Sequence, residues 1–215
     1  MSALVRLYAG GAVKKRHDHY FKRARSENYP ARSVYKLQEL DADFKLLKPG
    51  QTVLDLGAAP GSWTLFSSLK VGPSGRILAV DLSDAPTAFP ENVTFTIADA
   101  LDPAPKFQSL LVSWKPFDLV LSDMAPKTTG SRFTDQARSL ELAGQALALA
   151  RTCLIQGGHF VAKIFMGPDV KAFTDAMRGE FARVKTAKPD SSRSESFEQF
   201  IVGLSFKPHS KISEE

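Results

Sequence analysis

The sequence predicts an α/β fold in which a mostly parallel, seven-stranded sheet is covered by helices on both faces. Two observations support this prediction. From residue 50 onward, short apolar runs of strand length alternate with helical stretches, as in sheets that are wound on both sides. The last two apolar runs are joined by a link too short for a parallel crossover, so the last strand should be antiparallel.

The individual elements follow from apolar runs and from the glycine and proline residues that end them. The predicted strands are residues 52–56, 76–80, 93–97, 117–121, 159–165, 184–187 and 197–206. The predicted helices are residues 63–69, which stop at a Gly-Pro pair, 134–154, which are closed by Gln-Gly-Gly at 156–158, and 168–182. These elements predict one domain at 31–207, between a basic N-terminal extension at 1–30 and a polar tail at 208–215.

The composition is that of a globular protein, with 43% hydrophobic and 24% charged residues. No segment approaches the roughly 20 consecutive apolar residues that a membrane span requires, and the N-terminus lacks the apolar core of a secretory signal. The single cysteine, Cys153, excludes an internal disulfide. His17 and His19 lack further ligands at metal-binding spacing, so no metal site is predicted. We therefore expect a cytoplasmic protein without a membrane partner, and a monomer.

The net charge of +5 is concentrated near the N-terminus. Residues 14–36 carry eight lysine or arginine side chains against two acidic ones, and Tyr20, Phe21, Tyr29 and Tyr35 lie among them. Basic side chains bind a phosphate backbone, and aromatic rings stack on bases, so this arm favours contact with RNA. A solvated basic arm that has no partner is the alternative.

Acidic residues follow three of the predicted strands. Asp81, Asp99 and Asp123 stand at or just beyond strand ends, and ligands of open α/β sheets bind beyond the carboxyl ends of the strands. A single aspartate in this position is usually a helix cap or a turn residue. Three of them at one edge, after a glycine-rich first loop, favour a binding site.

The first loop, residues 55–63 (DLGAAPGSW), indicates which ligand the site binds. Its glycines, Gly57 and Gly61, do not have the G-x-G-x-x-G spacing of sites for nucleotide pyrophosphates. Pro60 removes a backbone N–H where a phosphate cradle would use one. S-adenosylmethionine, which carries no phosphate, fits such a loop.

We expect S-adenosylmethionine to lie across this edge in one direction. Asp81 is placed to accept hydrogen bonds from the ribose hydroxyls, and Asp99 to bond the adenine amino group. Asp123 is placed to hold the ammonium group or to favour the sulfonium. Gly61 permits close approach, and Trp63 packs either against the methionine portion or in the core of the first helix.

Four segments occur in a fixed order along the chain: residues 55–63 (DLGAAPGSW), 122–126 (SDMAP), 160–165 (FVAKIF) and 188–202 (KPDSSRSESFEQFIV). Together they resemble the FtsJ/RrmJ family of RNA ribose 2′-O-methyltransferases. The resemblance covers residues 14–206 and is strongest to the bacterial branch, which methylates a uridine ribose in the 23S rRNA of the large ribosomal subunit. It implies a Rossmann-like methyltransferase fold and RNA as the partner. One departure is Lys127, where members usually carry asparagine, and it adds charge near the entrance for RNA.

The resemblance also implies a catalytic tetrad of Lys36, Asp123, Lys163 and Glu198. In methyl transfer a ribose 2′ oxygen attacks the sulfonium methyl group in line, so the site must align the reactants and relieve the hydroxyl of its proton. Lys163 is the expected base. Lys36 would favour its neutral form by repulsion, but Asp123 and Glu198 would favour the charged form, in which Lys163 only orients the hydroxyl. A phosphate contact is the alternative for Lys36, and Glu195 competes with Glu198.

Two other functions remain compatible with these residues. The first keeps the fold and the cofactor but methylates a tRNA ribose, because surface contacts rather than the tetrad select the RNA. The second is a non-catalytic RNA-binding factor for ribosome assembly, which the complete tetrad disfavours. A NAD-dependent dehydrogenase is a weaker third reading, because the glycine spacing disagrees with it.

Overall fold

The computed structural model describes residues 19–193 and 196–208 of the chain. Over these residues it contains a seven-stranded sheet in the order β3-β2-β1-β4-β5-β7-β6. The first five of these strands pair in parallel, whereas β7 runs antiparallel between β5 and β6. This confirms the predicted sheet, including its antiparallel last strand. The strands are β1 (Thr52–Leu56), β2 (Arg76–Asp81), β3 (Val93–Ile97), β4 (Phe117–Ser122), β5 (Leu154–Phe165), β6 (Phe181–Ala187) and β7 (Glu198–Phe206).

Helices cover both faces of the sheet, as predicted. One layer packs on Leu119, Leu121 and Val161, and the other packs on Val120 and Phe160, because alternate residues of a strand point to opposite faces. The first layer contains the first two helices, and the second contains the last three. The helices are α1 (Val34–Phe44), α2 (Ser62–Val71), α3 (Pro105–Trp114), α4 (Arg132–Cys153) and α5 (Val170–Met177).

Two of these helices, α1 and α3, are absent from the elements that the sequence predicted. Helix α3 carries the signals of a helix: Pro105 stands in its first turn, and Phe107 and Leu111 are buried at a spacing of one turn. Helix α1 ends at Phe44 and is capped by Lys45, which adopts a left-handed conformation and donates its N–H to the carbonyl oxygen of Asp41.

Two predicted helix ends are wrong. Helix α4 ends at Cys153, so the Gln-Gly-Gly segment at 156–158 lies inside β5 instead of closing the helix. The register of β4 and β5 shifts near this segment, and Gly157 has a φ of 84°, the conformation found at bulges. The helix predicted at 168–182 spans only Val170–Met177, because Phe181 begins β6 by pairing with Phe206 of β7.

The basic segment before α1 is described from residue 19, and residues 19–26 are helical. Ala24 is buried in the same apolar cluster as α1, and the ring of Tyr20 lies 5.2 Å from that of Tyr35. The earlier part of the predicted RNA-contacting arm lies outside the described residues, as do the final residues of the predicted tail. Among the described helices, none combines the length and the apolar character that crossing a membrane requires.

Candidate active site

A cleft of about 510 Å³ opens at the carboxyl ends of β1, β2 and β4. The three aspartates that the sequence assigned to a cofactor, Asp81, Asp99 and Asp123, all line it, together with Gly57. A larger hollow of about 800 Å³ lies at the opposite ends of β2 and β3, but among the described residues Glu91 is the one carboxylate that lines it. The smaller cleft is therefore the candidate site, because the carboxylates converge there.

The first loop needs glycine at position 57 for two reasons. Gly57 has a φ of 77°, in the left-handed region. A Cβ atom at this position would lie 2.9 Å from Cγ of Met124 on the facing loop. The N–H groups of Gly57 and Ala58 both donate to the carbonyl oxygen of Val80, at 2.9 and 3.1 Å. These bonds hold the loop against the end of β2 and keep the cleft open beside it.

The predicted contact of Gly61 with the cofactor stays a prediction. Gly61 precedes α2 with a φ of 109°. A Cβ atom there would lie 2.9 Å from the ring of Phe89. Among the described residues, Gly61 therefore makes room for the phenyl ring of Phe89.

The carboxylate of Asp81 is held in a fixed orientation. Its Oδ2 accepts a hydrogen bond from the N–H of Ala59 at 3.0 Å, and its Oδ1 accepts one from Ser83 at 2.8 Å. Each oxygen of a carboxylate has a second lone pair, so both can still accept a bond from a ligand hydroxyl. Asp81 thus joins the first loop to the end of β2 while it faces the cleft.

The carboxylate of Asp99 has fewer hydrogen bonds on one oxygen than on the other. Its Oδ1 accepts hydrogen bonds from Leu101 at 2.8 Å and from Asp102 at 3.2 Å. Its Oδ2 accepts none from any residue that the structure describes. An exposed carboxylate oxygen at the cleft is suited to an amino group, which is the role the sequence predicted for Asp99.

Lys163 and Asp123 form an ion pair at the inner end of the cleft. Lys163 is carried by β5 and is 9% exposed, and Asp123 directly follows the neighbouring strand β4. The Nζ of Lys163 lies 3.0 Å from Oδ1 of Asp123 and also donates a hydrogen bond to the backbone carbonyl of Asp123. A buried lysine requires such partners, and here they belong to a residue that lines the cofactor cleft.

Lys36 and Glu198 form a second ion pair, between α1 and the first residue of β7. The N–H of Glu198 donates to Oγ of Ser196 at 3.1 Å, so the start of the strand is fixed locally. Glu195, the alternative carboxylate, lies outside the described residues. Lys36 therefore has a carboxylate partner in the structure, in addition to any contact that it makes with a phosphate.

The two ion pairs share one face of the sheet. In the antiparallel pairing of β5 and β7, Lys163 lies opposite Phe200, and Phe165 lies opposite Glu198. Residues opposite each other or two apart point to the same side, so Lys163, Glu198 and Phe200 all face α1. The Nζ of Lys36 is 6.0 Å from the centroid of the Phe200 ring. The structure thus brings all four tetrad residues together, as two lysine–carboxylate pairs.

Trp63 does not line the cleft. Its side chain is buried, its Nε1 donates to the carbonyl oxygen of Ser33 at 2.9 Å, and its ring lies 5.5 Å from that of Phe200. These contacts favour the core-aromatic alternative for the side chain. A contact between Trp63 and the cofactor stays a prediction.

Sequence reasoning missed a buried acid beneath the site, Asp55. Thr64 donates a hydrogen bond to its Oδ2 at 2.6 Å, whereas its Oδ1 has no hydrogen-bond partner among the described residues. Burial raises the pKa of Asp55 to about 7, and the negative charges of Asp123 and Asp81 add to this effect. The signal in the sequence was a carboxylate inside the apolar strand TVLDL.

Arg32 is a second residue that the sequence analysis did not single out. Burial and the neighbouring guanidinium of Arg193 lower the pKa of Arg32, and Glu198 raises it. Arg32 therefore lies near a second guanidinium and near the carboxylate of Glu198, a member of the tetrad.

Comparison with known proteins gives one family and one activity. The model of the FtsJ-like methyltransferase family matches residues 29–206. The chain is 58% identical over 195 residues to the ribosomal RNA large subunit methyltransferase E of Nitratidesulfovibrio vulgaris, with coverage of 91% of this chain and 96% of that protein. It is 57% identical over 203 residues to the protein of the same name from Oleidesulfovibrio alaskensis, with coverage of 94% and 98%.

Solved structures share the fold. A ribosomal RNA methyltransferase from Plasmodium falciparum superposes with a TM-score of 0.70 at 25% identity, over 83% of this chain and 98% of that one. Fibrillarin from Aeropyrum pernix, solved with S-adenosyl-L-methionine bound, superposes with a TM-score of 0.56 at 20% identity, over 80% and 76%. The Rossmann-like methyltransferase fold expected from the sequence is confirmed.

Proposed function

Because the chain belongs to the FtsJ-like methyltransferase family, we propose that it transfers a methyl group from S-adenosylmethionine to a ribose 2′-hydroxyl of large-subunit ribosomal RNA. One observation carries the proposal. Asp123 lines the cofactor cleft and also holds the Nζ of Lys163, so the place for the methyl donor and the place for the reacting hydroxyl share one residue. A uridine of 23S rRNA is the proposed target, and the bacterial cytoplasm, where ribosomes are assembled, is the proposed location.

The cleft suits S-adenosylmethionine in size and in charge. A volume of about 510 Å³ lies within the usual range for small-molecule sites. Four carboxylates line the cleft, since Asp102 joins the three predicted ones, and they favour a ligand with cationic groups and hydroxyls over one with phosphates. When bound, the cofactor supplies a methyl group on a cationic sulfur. We assign the ribose to Asp81, the adenine to Asp99 and the methionine end to Asp123.

In the proposed reaction Lys163 acts on the 2′ oxygen. Its Nζ donates a hydrogen bond to the backbone carbonyl of Asp123 and lies 3.0 Å from the carboxylate oxygen Oδ1 as an ion pair. An ammonium has three donors, so an N–H remains for the 2′ oxygen. The ion pair favours a charged Lys163 that aligns the hydroxyl with the methyl group, over a neutral base. The proton of the hydroxyl then leaves to solvent as the new C–O bond forms and the C–S bond breaks.

The second ion pair lies on the substrate side of the site. Glu198 fixes the Nζ of Lys36, and both side chains are largely buried, so their charges are weakly screened. We propose that Lys36 positions the ribose and its phosphate, with Arg32 nearby as a further phosphate contact. The exposed basic side chains of the segment at 19–26 extend the positive surface from there, and the preceding basic residues are proposed to continue it.

The role of Lys163 can be tested by substitution. We expect Lys163→Ala to abolish methyl transfer and to leave the affinity for S-adenosylmethionine and for RNA largely unchanged, because the aspartates and the basic surface remain. Single-turnover transfer is measured alongside calorimetric cofactor binding. The exposed Lys185→Ala, on the edge strand β6, is the matched control. Normal turnover by Lys163→Ala would remove Lys163 from the mechanism.

The protonation state of Lys163 has its own test. If Lys163 must be neutral to act, the single-turnover rate should rise about tenfold per pH unit between pH 6 and 8, whereas a charged donor predicts a flat profile over this interval. We expect the flat profile. The affinities for S-adenosylmethionine and for RNA are measured over the same pH range. A single-turnover rate that rises about tenfold per pH unit between pH 6 and 8 while both affinities stay constant would show that a neutral lysine accepts the proton.

A further inference from the structure

Beside the tetrad lies a pair of residues that the proposed reaction does not use, Arg132 and Phe197. The guanidinium carbon of Arg132 lies 3.8 Å from the centroid of the Phe197 ring. Phe197 is 45% exposed, and Phe133, next to Arg132 in the chain, is 73% exposed. We call Arg132 and Phe197 the stacking platform.

The platform is fixed to the elements that carry the site. Phe197 directly precedes Glu198, and its carbonyl oxygen accepts a hydrogen bond at 2.9 Å from the N–H of Met166, just beyond the end of β5. Strand β5 also carries Lys163. Phe197 is therefore linked by backbone to both lysine–carboxylate pairs.

Arg132 is fixed from the other side. It is the first residue of α4, and the loop of residues 124–131 connects it to Asp123. The carboxylate of Asp135 accepts hydrogen bonds at 2.8 Å from both the N–H and Oγ1 of Thr129. These bonds, which also lower the pKa of Asp135, pin the loop to the start of the helix. The position of Arg132 relative to Asp123 is thereby set.

The positive charge of Arg132 does not stabilise α4. A cation in the first turn opposes the helix dipole, which favours anions there. No carboxylate in the described part of the chain lies within ion-pair distance of Arg132. Arg151, in the last turn of the same helix, is placed favourably and binds Glu180 through two nitrogens at 2.6 Å. The contrast shows that the charge of Arg132 is available to a partner outside the fold.

We propose that the stacking platform binds a base of the substrate RNA next to the nucleotide whose ribose lies at Lys163. Bases of single-stranded RNA stack on aromatic rings and on guanidinium planes. Because Arg132 already covers one face of Phe197, the base stacks on the outer face of the guanidinium, with the phenyl ring supporting it from below. This inference rests on the proposed function and adds to it the group that recognises an unpaired neighbouring base.

Two substitutions separate stacking from charge. Phe197→Ala removes the supporting ring, and Arg132→Lys keeps the charge but removes the plane. Stacking of one base contributes about 1–3 kcal/mol, so each variant should raise the KM for large ribosomal subunits by about 5- to 150-fold. We expect kcat and the affinity for S-adenosylmethionine to stay unchanged. Phe197→Trp should keep the KM of the unaltered protein, because the indole ring also supports the guanidinium.

Matched controls exclude a general effect of the substitutions. Ile155→Ala removes a side chain that is 43% exposed at the other end of β5. Arg183→Lys makes the same exchange at an exposed position of β6. Both should leave the KM as in the unaltered protein, and thermal unfolding should show that all five variants are folded.

A second measurement does not depend on methyl transfer. Binding of a fluorescein-labelled single-stranded oligouridine is measured for the same variants, and we expect Phe197→Ala and Arg132→Lys to weaken it. Unchanged KM and unchanged oligouridine binding in both variants would overturn the platform. If the unaltered protein transfers no methyl group to subunits, the proposed function fails, and the oligouridine titration still decides on the platform.

Discussion

Replacing Asp55 by asparagine should change how the stability of the protein depends on pH. Asp55 lies in β1 below the cofactor loop and is fully buried. Its Oδ2 accepts a hydrogen bond from Thr64, which the amide oxygen of an asparagine can also accept. Burial, with the charges of Asp123 and Asp81, raises the pKa of this carboxyl group to about 7 from an ordinary value of 3.8.

The magnitude follows from the difference between the two pKa values. Each pKa unit corresponds to about 1.4 kcal/mol, so the ionisation of Asp55 changes the free energy of unfolding by about 4 kcal/mol in total. The folded state binds this proton more tightly than the unfolded state does. The stabilisation is therefore fully present below the unfolded pKa and is lost as the pH rises through the folded pKa near 7. Between pH 5 and 8 the loss is about 3 kcal/mol.

Urea unfolding of the original protein and of Asp55→Asn, at intervals from pH 5 to 8, measures this change. An asparagine at position 55 cannot ionise. The free energy of unfolding of the variant should therefore rise by about 3 kcal/mol relative to that of the original protein as the pH goes from 5 to 8. Other titrating groups cancel in the difference. Asp43→Asn, at an exposed position of α1, should show a constant difference. A constant difference for Asp55→Asn as well would refute the reasoning.

Three further predictions concern the loop, the thiol and the arm. Gly57→Ala and Gly157→Ala should each lower the free energy of unfolding by at least about 1–2 kcal/mol, because both glycines have positive φ. Only the new Cβ of Gly57→Ala meets Met124, so only this variant should bind S-adenosylmethionine more weakly in calorimetry. Equal affinities of the two variants would contradict this. Burial raises the pKa of Cys153 to about 12, so a chromogenic disulfide reagent at pH 8 should label it only in urea, and immediate labelling of the native protein would contradict its burial. Deleting residues 1–18 should weaken RNA binding and reduce its salt dependence by roughly 0.7–0.9 per lost phosphate contact, and an unaltered slope would mean that these residues bind no phosphate.

The strands of this fold could be predicted because each is an apolar run that lies between glycines, prolines or charges. The ends of helices and strands could not be predicted where they depend on pairing with a strand that is distant in the sequence. Phe181 reads as the end of a helix until β7 is known to lie beside it, and Leu154 begins a strand because it pairs with Phe117. Helix α3 had local signals in Pro105 and Phe107 that the sequence analysis passed over.

The residues of the site could be named from the sequence, but not their partners. That Lys163 pairs with Asp123, and Lys36 with Glu198, follows from the adjacency of β4 and β5 and from the packing of α1 on β7. Arg132 and Phe197 are far apart in the chain, and although Phe197 lies in the segment 188–202, Arg132 belongs to none of the four segments. Their contact is visible only after the chain has folded.

Mapping of the methylated nucleotide tests the central proposal most directly. The protein is incubated with S-adenosylmethionine and with large ribosomal subunits or tRNA from cells that lack this modification, and the RNA is digested and analysed by mass spectrometry. The proposal predicts one new 2′-O-methyl group on a uridine of 23S rRNA and none on tRNA. A methyl group on tRNA alone, on a base instead of a ribose, or on neither RNA would contradict it.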